Sequence, residues 1–181
     1  MIYVSECKSP LGKITLASDG ENLIGLWIEG QKYYFSSLKQ EIIKQDNLEI
    51  FNKTKKWLER YFNKEKPQIA ELKLAPIGNE FRQTVWKILK KIPYGETTTY
   101  GEIAKQLAKI MKKEKMSAQA VGGAVGHNPI SIIIPCHRVV GKSGSLTGYA
   151  GGIDKKVKLL EIEGVDMSKF FIPKTGTAYN L

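Results

Sequence analysis

The side chains best suited to chemistry lie in one short stretch. Pro135-Cys136-His137-Arg138 sets a cysteine beside a histidine, and the chain's other histidine, His127, lies a little upstream. Thiolate is the reactive form of cysteine, and a neighbouring imidazole or cation lowers the thiol pKa from about 8.5. Cys136 is therefore a candidate nucleophile and His137 its candidate base, against the plainer alternative of a buried structural thiol. Adjacent residues of an extended chain point to opposite faces. His137 thus serves Cys136 only through a bend in the chain or a bridging water. An acid must then orient the imidazole and stabilise its cation. Glu161 and Glu163 are the candidates, near the end of a helix expected over residues 154–163 and closed by Gly164. Zinc is poorly supported: four nitrogen or sulfur ligands would need Cys7, Cys136 and both histidines, and neither CxxC nor HxxxH spacing occurs. The sequence context of papain-like proteases is also absent.

These groups need elements to hold them. Residues 130–134, Ile-Ser-Ile-Ile-Ile, read as a buried strand that delivers Cys136. Upstream, Phe81, Val85, Ile88, Leu89 and Ile92 mark one face of a helix stopped by Pro93. Thr99 and Glu102 fit a capping box at the start of another helix, with Ile103, Ala104, Leu107, Ala108 and Met111 on its apolar face. Lys112-Lys113-Glu114-Lys115 reads as a solvated turn, after which Ser117 caps a short helix over residues 118–126. The pair is a helix-turn-helix candidate. The second helix is made of glycine, alanine and valine apart from Gln119. Each interior glycine costs about 1 kcal/mol relative to alanine. Either tight packing inside the protein or a smooth face laid against DNA would offset that cost. In the first half, residues 2–7, 13–18 and 23–28 read as strands, with Asp19-Gly20 as a hairpin turn. Tyr33-Tyr34-Phe35 starts a further strand or a helix, residues 51–62 have helical spacing, and residues 64–77 form a connector with Pro67 and Pro76. No cluster of catalytic residue types is visible in that half.

Charge separates the halves. Residues 1–75 carry 12 basic and 10 acidic side chains; residues 76–181 carry 16 basic and 8 acidic ones. The whole chain of 181 residues has a formal charge of +10. A basic half beside a near-neutral one points to a polyanion partner, with simple solubility as the plainer reading. No apolar run approaches the ~18 residues a membrane span needs, and no signal peptide is visible. Two distant cysteines make a reducing, cytoplasmic setting the default.

Ile133-Ile134-Pro135-Cys136-His137-Arg138-Val139-Val140-Gly141 resembles the active-site signature of the O6-alkylguanine-DNA alkyltransferases. The resemblance extends over residues 76–165. It takes in Phe81-Arg82-Gln83-Thr84-Val85-Trp86, Ile92-Pro93-Tyr94-Gly95-Glu96-Thr97, Tyr100-Gly101-Glu102-Ile103-Ala104, Ala120-Val121-Gly122-Gly123-Ala124, Asn128-Pro129 and Gly148-Tyr149-Ala150-Gly151-Gly152. It implies an α+β protein: a ribonuclease-H-like α/β domain over residues 1–75, a winged helix-turn-helix active-site domain over 76–170, and a flexible tail over 171–181. It implies a monomer that binds duplex DNA in the minor groove, flips out a damaged guanine and takes the O6-alkyl group irreversibly. O4-alkylthymine is a further implied substrate, and neither metal nor organic cofactor is required.

The resemblance also implies roles. Cys136 matches the alkyl acceptor, His137 the water-mediated base and Glu163 the acid that orients it. Asn128 matches the asparagine tying the recognition helix to the active-site strand. Tyr100 matches the tyrosine that favours base extrusion and donates toward N3 of the flipped base. Tyr149 and Ala150 match the loop that closes the pocket, and backbone groups of Cys136, Val139 and Ala150 would read the guanine edge. Ala120 and Gly122 lie on the recognition helix, and Arg138 is expected to be structural. The sequence departs from the pattern at Gln119, where many relatives place the arginine that fills the space of the flipped base, and in the longer segment 109–116. Flipping is still expected, with a weaker or differently timed hold on the gap. Three alternatives compete. Lesion sensors of this kind replace the cysteine, which is present here. Regulatory relatives carry an extra cysteine-rich zinc region, which is not. A cysteine hydrolase with an incidentally basic surface would turn over repeatedly and ignore DNA.

Overall fold

A computed structural model describes residues 1–174. β1 (Ile2–Ser9), β2 (Gly12–Ser18) and β3 (Leu23–Ile28) form an antiparallel meander, and β4 (Ile42–Lys44) adds parallel to β1, giving the order β3-β2-β1-β4. The β2–β3 turn forms as the sequence predicts: Asp19 Oδ1 accepts from the backbone N–H groups of Glu21 and Asn22, and Gly20 takes φ 112°. α1 (Glu49–Phe62) buries Ile50, Phe51, Thr54, Trp57, Leu58 and Tyr61. Residues 33–35 correct the expectation of a strand or helix. They form turns, with Tyr33 and Phe35 both at positive φ.

The second half contains α2 (Glu80–Leu89), β5 (Thr98–Thr99), α3 (Tyr100–Ile110), α4 (Ala118–Gly126), β6 (Val139–Val140) and α5 (Ile153–Ile162). Thr99 and Ser117 cap α3 and α4 through their hydroxyl oxygens. The reciprocal half of the capping box does not form, because the Glu102 carboxylate pairs with Lys105 instead. α3 and α4 make the expected helix-turn-helix. α4 turns Val121, Ala124 and Val125 inward, and Trp86 of α2 pins it by donating Nε1–H to the Ala124 carbonyl at 2.9 Å.

The expected strand over residues 130–134 is not one. Only Ile130 bridges a strand, at Leu26 of β3. Beyond it the chain coils: Ile133 N–H bonds Ser131 O, Ile134 N–H bonds Ile130 O, and Ile132 sits at φ 70°. The apolar run correctly signals burial, since all five residues are buried. A short apolar run does not by itself fix backbone shape. Here the Asn128 amide takes backbone groups that a sheet neighbour would otherwise pair, accepting from Ile130 N–H and donating to the carbonyls of Ile130 and Ile134. One hydrophobic cluster runs through both halves, from Leu11 and Ile14 to Tyr149 and Leu159. Phe171, placed by the sequence reading in a flexible tail, is paired with Ser145 and Leu146 near β6. Residues 175–181 of that tail lie outside the described residues. Among the described residues no helix is long and apolar enough to cross a membrane.

Candidate active site

Cys136 begins a turn of 3-10 helix, Cys136–Arg138, directly after Pro135. The chain thus bends here, which is one of the two ways, the other being a bridging water, in which His137 could serve Cys136. The Cys136 sulfur is buried and accepts a hydrogen bond from Asn128 Nδ2 at 3.1 Å. The same amide binds the Ile130 and Ile134 backbone, so Asn128 fixes the approach to Cys136 and the sulfur itself. Burial pushes the Cys136 thiol up, and the Asn128 hydrogen bond and the Lys156 charge only partly counter it. This corrects the expectation of a lowered thiol pKa: the resting thiol is protonated, and the nucleophile must be made within the site.

His137 and Glu163 supply the means. His137 Nε2 lies 2.6 Å from Glu163 Oε1, both side chains fully enclosed. Arg138 grips the same carboxylate through Nε and Nη2, each at 2.9 Å, and gives Nη1 to the Ile92 carbonyl. The Gly95 N–H and the Tyr61 hydroxyl complete the shell, the latter at 2.7 Å. Burial alone would raise the Glu163 carboxyl, but the hydrogen bonds from His137 and Arg138 and the guanidinium charge hold it well below the usual carboxylate range. An ionised carboxylate only accepts, so His137 Nε2 carries the proton. Nδ1 is then the free base, and it is buried with no hydrogen-bond partner among the described residues. Burial also pushes the imidazole pKa down despite Glu163, which keeps His137 neutral and able to take a proton. Glu161 is exposed and lies outside the cluster.

Two members escaped the sequence reading. Tyr61 comes from α1, in the half that showed no catalytic cluster. Its place in the periodic pattern of that helix marked it only as core. Lys156 sits on α5 among other lysines, yet it is fully buried and donates to the carbonyls of Val139 at 2.5 Å and Thr147 at 2.8 Å. Burial lowers its pKa to about 8, against a raising influence from Cys136.

The buried site adjoins a cleft of about 980 Å³ lined by Tyr100, Gln119, Gly122, Gly148 and Ala150 among others. The Tyr100 hydroxyl reaches the carbonyls of Thr147 and Gly148 at 3.1 Å, and burial raises its pKa. Tyr149 is buried behind Gly151, where a Cβ would come within 2.7 Å of its ring. Gln119 and Ala120 are exposed on α4. A Cβ at Gly123 or Gly126 would meet nothing within 4 Å, so those glycines are not there for internal packing. Val139 is buried at the end of the 3-10 turn. The site thus gathers Cys136, His137, Glu163 and Asn128, with Tyr100 and Ala150 lining the cleft that the α4 face borders.

Fold and site together define a cysteine-nucleophile protein built on a helix-turn-helix. The family model for the 6-O-methylguanine DNA methyltransferase DNA-binding domain matches residues 80–165, and that for the ribonuclease-like domain of the same family matches residues 2–76. The chain belongs to the 6-O-methylguanine DNA methyltransferase family. It is 45% identical to a methylated-DNA–protein-cysteine methyltransferase of Methanosarcina acetivorans, over 90% of this chain and 99% of that one. With the protein of the same name from Haemophilus influenzae it shares 41% identity over 91% of this chain and 87% of the other. The crystal structure of Mycobacterium tuberculosis OGT in complex with DNA is similar at TM-score 0.78 and 40% identity, covering 93% of this chain and 94% of that one.

Proposed function

We propose that this protein repairs O6-alkylguanine in duplex DNA by moving the alkyl group, once and irreversibly, to Cys136. The observation that carries the reading is a buried cysteine held by Asn128 beside a neutral His137 paired with the Glu163 carboxylate, under a cleft floored by a bare helix face. The duplex lies with its minor groove along α4, and the damaged base leaves the stack at a cost of a few kcal/mol, lowered by weak pairing. Gln119 occupies the gap, stacking and bonding to the orphan base without bringing charge. Tyr100 and the segment 148–152 close around the flipped guanine. The Val139 carbonyl accepts from Lys156 Nζ and the Ala150 carbonyl from the Lys32 N–H. A carbonyl has two lone pairs, and both carbonyls face the guanine edge in this reading.

The transfer balances without further reagents. The Cys136 proton passes through a water to His137 Nδ1, and the sulfur attacks the alkyl carbon. The carbon–O6 bond breaks with its electron pair on guanine, assisted by Tyr100. The proton taken from Cys136 equals the one guanine needs to regain its keto form. The product thioether is stable, so each molecule acts once. O4-alkylthymine offers the same leaving oxygen and is a second substrate in this reading. The protein works as a monomer, in the cytoplasm, where a reducing setting keeps Cys136 a thiol.

Intact-protein mass spectrometry after mixing with excess duplex bearing one O6-methylguanine tests the proposal. One added methyl on Cys136 and no further turnover is the expected result. No mass gain with the duplex still bound would leave a lesion-binding protein, and neither gain nor binding would sink the assignment. The open face of α4 yields a second prediction. Gly123→Ala should raise folding stability by up to about 1 kcal/mol, because alanine is the better helix former and the space is empty. The same methyl stands where the duplex must lie, so affinity for duplex DNA should fall. Thermal melting and fluorescence anisotropy read the two effects; a variant that gains stability and keeps full affinity would place the DNA elsewhere.

A further inference from the structure

Three consecutive residues of the first half touch three separate segments around the site: the approach to Cys136, the closing segment and the end of α4. Gln31, buried after β3, accepts through Oε1 from the Ser131 hydroxyl at 3.0 Å, in the segment that leads to Cys136. Its own turn is locked by the Ile28 N–H on the same oxygen. The Lys32 backbone N–H donates to the Ala150 carbonyl at 3.0 Å, in the segment that closes the pocket. The Tyr33 ring stacks on His127 at the end of α4, with centroids 3.9 Å apart and planes 24° from parallel. Neighbouring ties run the same way: Lys155 Nζ donates to the Glu29 carbonyl at 2.7 Å, and a Cβ on Gly151 would lie 3.5 Å from Ile28 Cδ1.

Tyr33 is the exposed aromatic member of this strap. It lines the cleft together with His127, Tyr100 and Ala150. Its backbone sits at φ 59°, a conformation that costs a bulky side chain on the order of 1 kcal/mol and that persists only where surroundings hold it. The stack on His127 and the flanking bonds of Gln31 and Lys32 are what hold it.

Resting on the alkyl-transfer reading, we propose that the strap Gln31-Lys32-Tyr33 sets the aperture of the base pocket, and that Tyr33 is a specificity-determining residue for the size of the alkyl group accepted. The recognition helix, the Cys136 approach and the closing segment are spaced by contacts from the other half of the chain. Loosening the strap at its Tyr33 end frees the closing segment to stand further off and admit larger O6 substituents.

Single-turnover transfer from duplexes carrying O6-methylguanine or O6-benzylguanine tests this, with protein in excess and labelled Cys136 as the readout. Tyr33→Ala should raise the benzyl-to-methyl rate ratio by about tenfold, the scale on which pocket shape discriminates apolar groups. Tyr33→Phe, which keeps the stack, should leave the ratio at the wild-type value. His127→Ala should raise it as Tyr33→Ala does, and the double variant should raise it no further, since the two rings act as a unit. An unchanged ratio in both alanine variants, or a fall in it, overturns the proposal. Failure of the alkyl-transfer reading is distinct: the wild-type protein would then label Cys136 from neither duplex.

Discussion

Glu163→Gln should cost about 3–5 kcal/mol of folding stability and slow methyl transfer by at least about a hundredfold. The carboxylate accepts from His137, Arg138, Tyr61 and the Gly95 N–H at once. An amide fills the volume but cannot neutralise Arg138, which is left as a buried charge beside Ile92. It also cannot stabilise the imidazolium that forms when His137 takes the Cys136 proton. The sign of the pH dependence follows from the depressed pKa of Glu163. An unfolded glutamate titrates near pH 4.3. The stability from Glu163 is therefore complete above that pH and drains away as pH falls toward the much lower folded value. The gap in unfolding free energy between wild type and Glu163→Gln should be widest near neutrality and should shrink below about pH 4. Urea denaturation across that range measures it. A gap that stays constant with pH would mean that Glu163 is not ionised in the folded protein, and the His137 relay would lose its anchor.

Why Glu163 could be named from the sequence while Tyr61 could not is a matter of how each is signalled. The residues alone leave Glu161 and Glu163 both open as the acid beside the helix-closing Gly164, and the resemblance to the alkyltransferases selects Glu163. Thr99 and Ser117 are equally local, because a cap is decided by residues three positions apart. Tyr61 meets Glu163 from 102 positions away, and its spacing on α1 is that of any core aromatic. Lys156 belongs to a run that looks solvated, and only the packing of α5 over the Cys136 turn buries it. Residues 130–134 failed in a different way. Their composition fixed burial but not backbone shape, because the polar side chain of Asn128 did the pairing that a neighbouring strand does elsewhere. The strap at 31–33 left no periodic trace at all, since its contacts reach Ser131, Ala150 and His127 singly. The chemistry was legible where it is local in the chain; the supports that come from the first half were not.

Lys156 provides the second large effect, and it separates activity from stability. Among the described residues nothing acidic pairs with this buried ammonium; its partners are two backbone carbonyls. Its pKa of about 8 lies below the ~10.4 of an unfolded lysine. Below pH 8 both states carry the proton, and the folded state bears the full penalty of burying it, on the order of 3 kcal/mol. Between about pH 8 and 10 the folded lysine is neutral while the unfolded one still binds a proton, so wild-type stability should climb with pH in that window. Lys156→Met, which keeps most of the volume, should abolish the climb. The same substitution removes the Lys156 charge, which lowers the Cys136 thiol. Methyl transfer should then slow by at least about tenfold, with the rising limb of its pH profile moved to higher pH. Chemical denaturation and single-turnover rates on the same pH series read both effects. A variant that loses the stability climb but transfers at the wild-type rate would make Lys156 a purely structural cation. Loss of both ties the cost of burying this charge to the formation of the Cys136 thiolate, and explains why an unpaired lysine is kept at the centre of the site.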